Sequence, residues 1–394
     1  MKNKIALRVN WLNSQIIAES RGGLMIVFIR SYSISKDSRL QKYINLCKNN
    51  NIPVKIIGWD KDATEDNNND CNTIYYKGNF AIGQQWKNLL HIIKWWIFIF
   101  SNISTIKKKH KIKAIHSVDL DCGIIGYILS KTIKSKHIYD IYDVFSANRN
   151  MKGKIKNIVN LIERYISRNS EYFIMPESFR FEQLGIDKSD KKYSNFVEIE
   201  NVPDIIEEHA PSPKNNNITF VYAGSLEPKH RGIENLLEVI SEYSNIKLLI
   251  AGIGPLSKLC STYANKFNNI EFFGGLKPNE VYMLESKGNI IVGMYYKTRD
   301  NHLFASPNKY YEHLALGKAM LTTEGTPPGI KVEALRTGFS IGEEKYDIRN
   351  LIDMLIDDNK ILDIFSQNAK KIWSDKYKDY NSNYFNKTYL HMVK

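Results

Sequence analysis

The sequence predicts an α/β protein built of two consecutive, doubly wound domains of similar size. Strand-like apolar runs alternate with helix-period stretches in both halves, the pattern of βα units on a parallel sheet. A break rich in Pro and Asn, HAPSPKNNN at 209–217, separates the halves. The length of 394 residues also exceeds one ordinary domain, which takes about 100 to 200 residues. The expected organisation is an extension at 1–24, a first domain at 25–208, a linker at 209–217, a second domain at 218–375, and a C-terminal helix at 376–394 able to pack back on the first domain.

In the first half, Leu24 to Ile29 is an apolar run that suits a buried strand, and Leu40, Tyr43, Ile44 and Cys47 follow at helical spacing. Strands are expected at 53–58, 71–76, 114–117, 137–141 and 172–175, with helices at about 86–109, 120–132 and 154–168. The last helix places Ile155, Ile158, Val159, Ile162 and Ile166 on one face. After the linker, strands are expected at 218–222, 246–251, 270–274, 289–293 and 319–323. Between them lie a helix carrying Ile233, Leu236, Leu237 and Ile240 and another at 255–267. In such sheets ligands bind at the carboxyl ends of the strands, so a central cleft faced by both domains is the expected site.

Composition narrows the partners. Lys plus Arg outnumber Asp plus Glu by 55 to 42, a net charge of +13, so acidic partners are expected: phosphate groups, nucleic acid or an anionic membrane. Cys47, Cys71, Cys122 and Cys260 lack metal-ligand or disulfide spacing and read as buried thiols. The first 24 residues contain no continuous apolar core, so no secretory signal is expected.

Three loops at strand ends of the second half could carry chemistry. In SPNKYYEHLALG, 306–317, Ser306 reads as an N-cap, Pro307 as the first-turn residue and Gly317 as the residue ending a short helix. Its first turn, with Asn308 and Lys309, suits an anion, and Glu312 can accept hydrogen bonds from a vicinal diol such as a ribose. In AGSLEPKHRG, 223–232, Gly224 and Ser225 admit a ligand to the backbone, while Lys229 and Arg231 can reach a diphosphate. Gly252 and Gly254 sit in a third such loop, GIGP. Solvated side chains on ordinary βα turns are the plain alternative for each, but their coincidence points to a nucleotide diphosphate.

VYAGSLEPKHRGIENLLEVI, LLIAGIGP, FFGGL and SPNKYYEHLALGKAML, in this order, resemble the C-terminal half of GT-B glycosyltransferases of the retaining family 4 (group 1), surface-polysaccharide type. In the first half, SISKDSRLQKYINLCKNNNIPVKIIGWD, IHSVDLDCGIIGYIL, IYDIYDVF and ENVPD, the last as a strand entering the hinge, are similar to that family's units. The resemblance implies that Arg231 neutralises a leaving diphosphate and that Glu312 contacts the nucleotide ribose. Phe304 stands where many members have a first glutamate, and Ser225 where many have an arginine, so Asn308 and Lys309 are expected to fill those roles. Val118 stands where a second histidine is frequent. His116, Asp119, Asp121 and Asp143, with Asp140, follow strands of the first half and are candidates for orienting acceptor hydroxyls, with N-caps and loop carboxylates as the alternative. No metal and no cofactor are expected.

The segment Trp86 to Lys113 is broken by His91 and Lys94 and falls short of the roughly 20 apolar residues that span a bilayer. Its Trp95, Trp96, Phe98 and Phe100, beside a lysine-rich tail, suit an anionic membrane surface; a helix packed within the domain is the alternative. The expectation is a cytoplasmic glycosyltransferase, peripheral on the inner face of the membrane, moving a sugar from a nucleotide diphosphate donor to a lipid-linked glycan with retention. A nucleotide-sugar 2-epimerase on the same fold and a basic binding protein without catalysis are the alternatives. Nucleic acid is not expected as a partner, because no RNA-binding signature accompanies the charge.

Overall fold

The computed structural model describes residues 24–61, 72–78, 85–187, 189–204 and 217–394, with the backbone alone at 85–89. Residues 1–23 of the expected extension, most of the expected linker, and Cys71 lie outside the described residues, and Leu24 belongs to the first strand. Contacts divide the chain into two compact units, Met1–Glu200 with Phe385–Lys394, and Asn201–Tyr384. The division falls at 200/201 rather than 208, and 376–384 go with the second unit.

The first unit holds a parallel sheet of β1 (Leu24–Arg30), β2 (Val54–Asp60), β3 (Thr73–Lys77), β4 (Lys111–Val118), β5 (Lys136–Asp140), β6 (Tyr172–Met175) and β7 (Phe196–Glu198), in the order β3-β2-β1-β4-β5-β6-β7. Runs such as LMIVFIR are buried on both faces, as strands of a covered parallel sheet must be. Helix α1 (Ser38–Asn49) connects β1 to β2; α2 (Gln85–Lys109), α3 (Leu120–Ile133) and α4 (Gly153–Asn169) lie on the connections that step the other way, from β3 through to β6. Right-handed crossovers therefore put α2, α3 and α4 together on one face and α1 on the other. Gly123 and Gly126 let α3 lie close to the sheet, since a Cβ there would sit 2.4 Å from the Tyr139 ring and 2.8 Å from Ser117 Cβ.

On α2 the packed-helix reading holds along one stripe, and on α4 the face differs from expectation. On α2 the inward stripe is Trp95, Ile99, Ile103 and Ile106, so Trp95 is core rather than a surface aromatic, and Trp96 donates its indole N–H to the Asp121 carbonyl at 2.7 Å. On α4, Ile155, Ile158 and Ile162 point outward, while Asn160, Glu163 and Ser167 are buried. The polar side faces in because it has partners there: Ser146 donates to Asn160 at 2.5 Å, and Tyr139 and the Phe145 N–H donate to Glu163 at 3.1 and 3.3 Å. Burial pushes the Glu163 carboxyl up to about 8. ENVPD is not a strand; the strand precedes it, at β7.

The second unit holds β8 (Ile218–Ala223), β9 (Ile246–Ala251), β10 (Ile270–Phe272), β11 (Ile290–Gly293), β12 (Ala319–Thr323) and β13 (Gly338–Ile341), parallel in the order β10-β9-β8-β11-β12-β13. Phe220, Leu248, Ile290, Val292 and Leu321 form its core with Leu236, Leu237 and Ile352 from the helices. Its helices are α5 (Ile233–Ile240), α6 (Ser257–Lys266), α7 (Pro278–Ser286), α8 (Asn308–Leu316), α9 (Pro327–Ala334), α10 (Lys345–Asp357) and α11 (Ile361–Ile372); α12 (Asn386–Val393) returns to the first unit beside α1. Cys47, Cys122 and Cys260 are buried and unpaired, and burial pushes each thiol up.

Candidate functional site

In the second unit the chain leaves β8 toward β9 and leaves β11 toward β12, in opposite directions. A crevice therefore opens at the carboxyl ends between β8 and β11. The loops that follow these two strands carry Arg231 on one side and lead into α8 on the other.

The loop after β8 is held against the loop after β9 by backbone contacts that only glycine allows. Gly252 has φ +151°, and a Cβ on it would sit 1.9 Å from the Gly224 carbonyl oxygen; one on Gly254, φ +159°, would sit 2.6 Å from that of Leu226. Hydrogen bonds from Gly224 N to Ala251 O (3.0 Å) and Leu226 N to Ile253 O (3.1 Å) close the crossing. Beside it lies a cavity of about 250 Å³ lined by Gly224, Ser225, Gly252, Ile253, Gly275 and Leu276. A larger one, about 590 Å³, is lined by Tyr310, Lys331, Lys371 and Tyr377, away from the strand ends that form the crevice, so size does not select it.

Arg231 is half-buried over the Tyr295 ring, 5.1 Å from its centroid. Its Nε is buried without a hydrogen-bond partner, and its nearest carboxylate, Glu227 at 3.7 Å, is already bonded to Arg299 at 2.8 Å. Lys229 is exposed, and its positive φ of 66° turns the loop. Burial pushes the Tyr295 phenol up, while the charges of Arg231 and then Lys309 pull it down.

Helix α8 begins one residue later than expected. Pro307 takes the N-cap position with extended backbone, φ −82° and ψ 148°, so Ser306 stands before the cap. Gly317, at φ +59°, ends the helix as expected. Lys309 turns inward: its Nζ bonds Glu285 Oε1 at 2.6 Å and lies 3.9 Å from Glu312 Oε2. Burial opposes the ammonium charge, but Glu285 and then Glu312 raise its pKa. Glu312 is itself pushed up to about 7, first by burial and then by Glu285, with Lys309 pulling the other way. The Asn308 side-chain oxygen accepts a hydrogen bond from Asn201.

The sequence reading had not singled out Glu285 or Tyr295. Glu285 is wholly buried on α7, with Oε2 unpartnered. The cluster thus holds two carboxylates, one compensated lysine and one under-compensated arginine, an arrangement that can take a dianionic group at Arg231 and hydroxyls at Glu312.

The first unit's candidates are committed to their own surroundings. His116 is fully buried, with Nδ1 2.8 Å from the Tyr389 hydroxyl and Nε2 3.6 Å from Asp140. Burial lowers its pKa. Asp140 is bound by Arg39 at 3.2 Å; burial would raise its pKa, but Arg39 and His116 hold it below the usual carboxylate range. Asp119, with φ +61°, pairs with Arg30 and accepts from the Tyr142 N–H at 3.0 Å. Asp143 pairs with Arg180 at 3.1 Å, and Asp121 is buried in the first turn of α3.

Residues 204–372 match the family model of group 1 glycosyl transferases. No curated protein matches the chain. Among solved structures it is similar to HepE of Anabaena in complex with UDP, 15% identical, TM-score 0.68, covering 94% of this chain and all of that one. It is similar also to a sucrose-phosphate synthase of Thermosynechococcus elongatus, 12% identical, TM-score 0.71, over 94% and 98% of the two chains. A third is WaaG, a glycosyltransferase involved in lipopolysaccharide biosynthesis, 12% identical, TM-score 0.62, over 94% and 99%. The fold is GT-B, and the family-model match over the second unit makes the chain a glycosyltransferase.

Proposed function

We propose that this glycosyltransferase takes a nucleotide diphosphate sugar in the crevice between β8 and β11 and transfers the sugar, with retention, to a hydroxyl of a lipid-linked glycan, as a family 4 enzyme of surface-polysaccharide synthesis. The observation that carries the donor reading is Arg231, a guanidinium whose buried Nε has no hydrogen-bond partner, placed one loop from Glu312. UDP in the HepE complex supports this reading of the donor, and WaaG's part in lipopolysaccharide biosynthesis supports that of the acceptor.

In this reading the base fills the cavity beside Gly224 and Gly252, against the apolar side chains of Ile253 and Leu276. Glu312 accepts from the ribose hydroxyls. Arg231 and the first turn of α8 face the diphosphate, and stabilise the charge that builds as the sugar–oxygen bond breaks. Lys309 orients Glu312 more than it offers free charge, because Glu285 already compensates it. No metal or cofactor enters this reading. Peripheral residence on the inner face of the cytoplasmic membrane, through 86–113, belongs to the same proposal; among the described residues no helix is long and apolar enough to cross a membrane.

Thermal shift with UDP, GDP, ADP and their sugars tests the donor site. One nucleotide should raise the melting temperature of the wild type and have a much smaller effect on Arg231→Ala and Glu312→Ala. Equal responses in all three proteins would remove the assignment. Product analysis with the stabilising sugar then separates transfer from 2-epimerisation, which needs no acceptor and returns an isomeric nucleotide sugar.

A further inference from the structure

Helix α4 buries Ile166 and packs Val159 against the core, but turns most of its apolar side chains outward. Its polar face is bonded into the domain through Asn160 and Glu163, and Ile155, Ile158, Leu161 and Tyr165 are turned to solvent at 66, 60, 60 and 50% exposure. An exposed apolar ridge on an otherwise ordinary domain needs an occupant. The helix does not stand alone: α3 lies between α4 and α2, and these neighbours turn out Ile128 and Ile97, 53 and 63% exposed.

Charge identifies the occupant. The three helices contain two carboxylates, Asp121 and Glu163, and both are buried. Their exposed charges are all basic, among them Lys94, Lys107, Lys131, Lys154 and Arg168. A second copy of the chain would meet the same basic face across a two-fold axis and be repelled. A surface of anionic headgroups over acyl chains satisfies both features at once.

We propose that the outer face of α4, with Ile128 of α3 and Ile97 of α2, seats the first unit on an anionic lipid bilayer, the isoleucine and leucine side chains entering the acyl boundary and the lysines and arginines meeting the phosphates. This extends the membrane contact beyond 86–113 to a helix for which the sequence predicts only a shared apolar face. It is independent of the proposed donor site, whose residues belong to the second unit.

Flotation of the full chain with vesicles of phosphatidylcholine alone, or of phosphatidylcholine with phosphatidylglycerol, tests it. The wild type should float with the anionic vesicles only. Ile158→Glu with Leu161→Glu should lower the partition by at least about tenfold, because it removes apolar burial and adds two repelled charges. Both positions are exposed, so the melting temperature should stay unchanged, and Lys154→Glu with Arg168→Glu should weaken flotation in the same direction without touching the apolar ridge. Flotation of the α4 variants equal to wild type overturns the proposal. So does a wild type that fails to float while light scattering reports a dimer that Ile158→Glu dissociates, because the face is then an interface between copies.

Discussion

The two units share one topology and use it differently. Each has a point where the strand connections reverse direction, between β1 and β4 in the first and between β8 and β11 in the second. At the first, Arg30 is saturated: Asp37 and Asp119 both pair with it, and Tyr142 lies under its guanidinium at 4.6 Å. Next to it Arg39, Asp140 and His116 close on one another. At the second, Arg231 keeps a buried Nε without a partner and Glu312 is held near its titration point. The charges at the first crevice are matched among themselves, whereas the second leaves the Arg231 Nε without a hydrogen-bond partner, which is why the proposed donor site is placed there.

The largest effect that would break this contrast is in the first unit. Arg39→Ala leaves Asp140, 0% exposed, without its cation, and removing one partner of a buried pair costs about 3–5 kcal/mol. Chemical denaturation should show that loss at neutral pH. The sign with pH follows from the carboxylate. In the variant Asp140 has a raised folded pKa, so the penalty acts above the unfolded value and shrinks as acid protonates the group in both states. A loss below about 1 kcal/mol, the scale of a surface ion pair, would mean that the first crevice is not held by this pair.

Arg231→Ala should behave in the opposite way. Arg231 is half-buried, and its one carboxylate neighbour is already occupied. Stability should change by no more than about 0.5 kcal/mol, as at other sites outside the core. In the proposed reading its work is on the ligand, so kcat should fall about 10²–10³-fold, the range for removing one donor to a developing anion. Steady-state kinetics with the sugar nucleotide chosen by thermal shift, set beside the denaturation curve, separates the two outcomes. A variant as unstable as Arg39→Ala with an unchanged kcat would make Arg231 scaffold too.

Much of this arrangement could be read from residue order, and the failures have one cause. Runs such as ITFVYA, IKLLIA and IIVG are strands because nearly every residue in them is apolar, and Gly252, Gly254 and Gly317 mark turns that the backbone requires. Periodicity states which side chains share a face but not which way the face points. The expected apolar face of α4 is split, with Ile166 in the core and Val159 packed against it but Ile155, Ile158 and Ile162 outward, because Asn160 and Glu163 turn inward to bonds that Ser146 and Tyr139, distant in sequence, offer them. Glu285 was missed for the same reason. In MLESKGN it reads as a surface residue, and only the fold brings Lys309, 24 positions on, to 2.6 Å from it. For Trp95 the sequence leaves a membrane surface and a helix packed within the domain both open, and the core beside Trp59 takes it.

The smallest effect sharpens the contrast within the second crevice, and rests on one proton. Glu312 is held near 7, against about 4.3 for an unperturbed glutamate. Its folded pKa is raised, so the native state holds a proton that the unfolded chain has lost between those values, and the group makes the ligand-free protein less stable as pH rises through that window. The carboxylate is also the better acceptor for two ribose hydroxyls. Affinity for a UDP-sugar, whose diphosphate does not titrate near neutrality, should therefore rise from pH 6 to pH 8, by about tenfold at most for a single proton near pH 7. Glu312→Gln should flatten both trends, with weaker binding and a melting temperature less dependent on pH. Glu163, held near 8 in the first unit, adds a stability term of the same sign, so the comparison is the difference between variant and wild type, in which it cancels. A variant that keeps the wild-type slope in affinity would place the titrating group elsewhere and leave Glu312 as a partner of Lys309 alone.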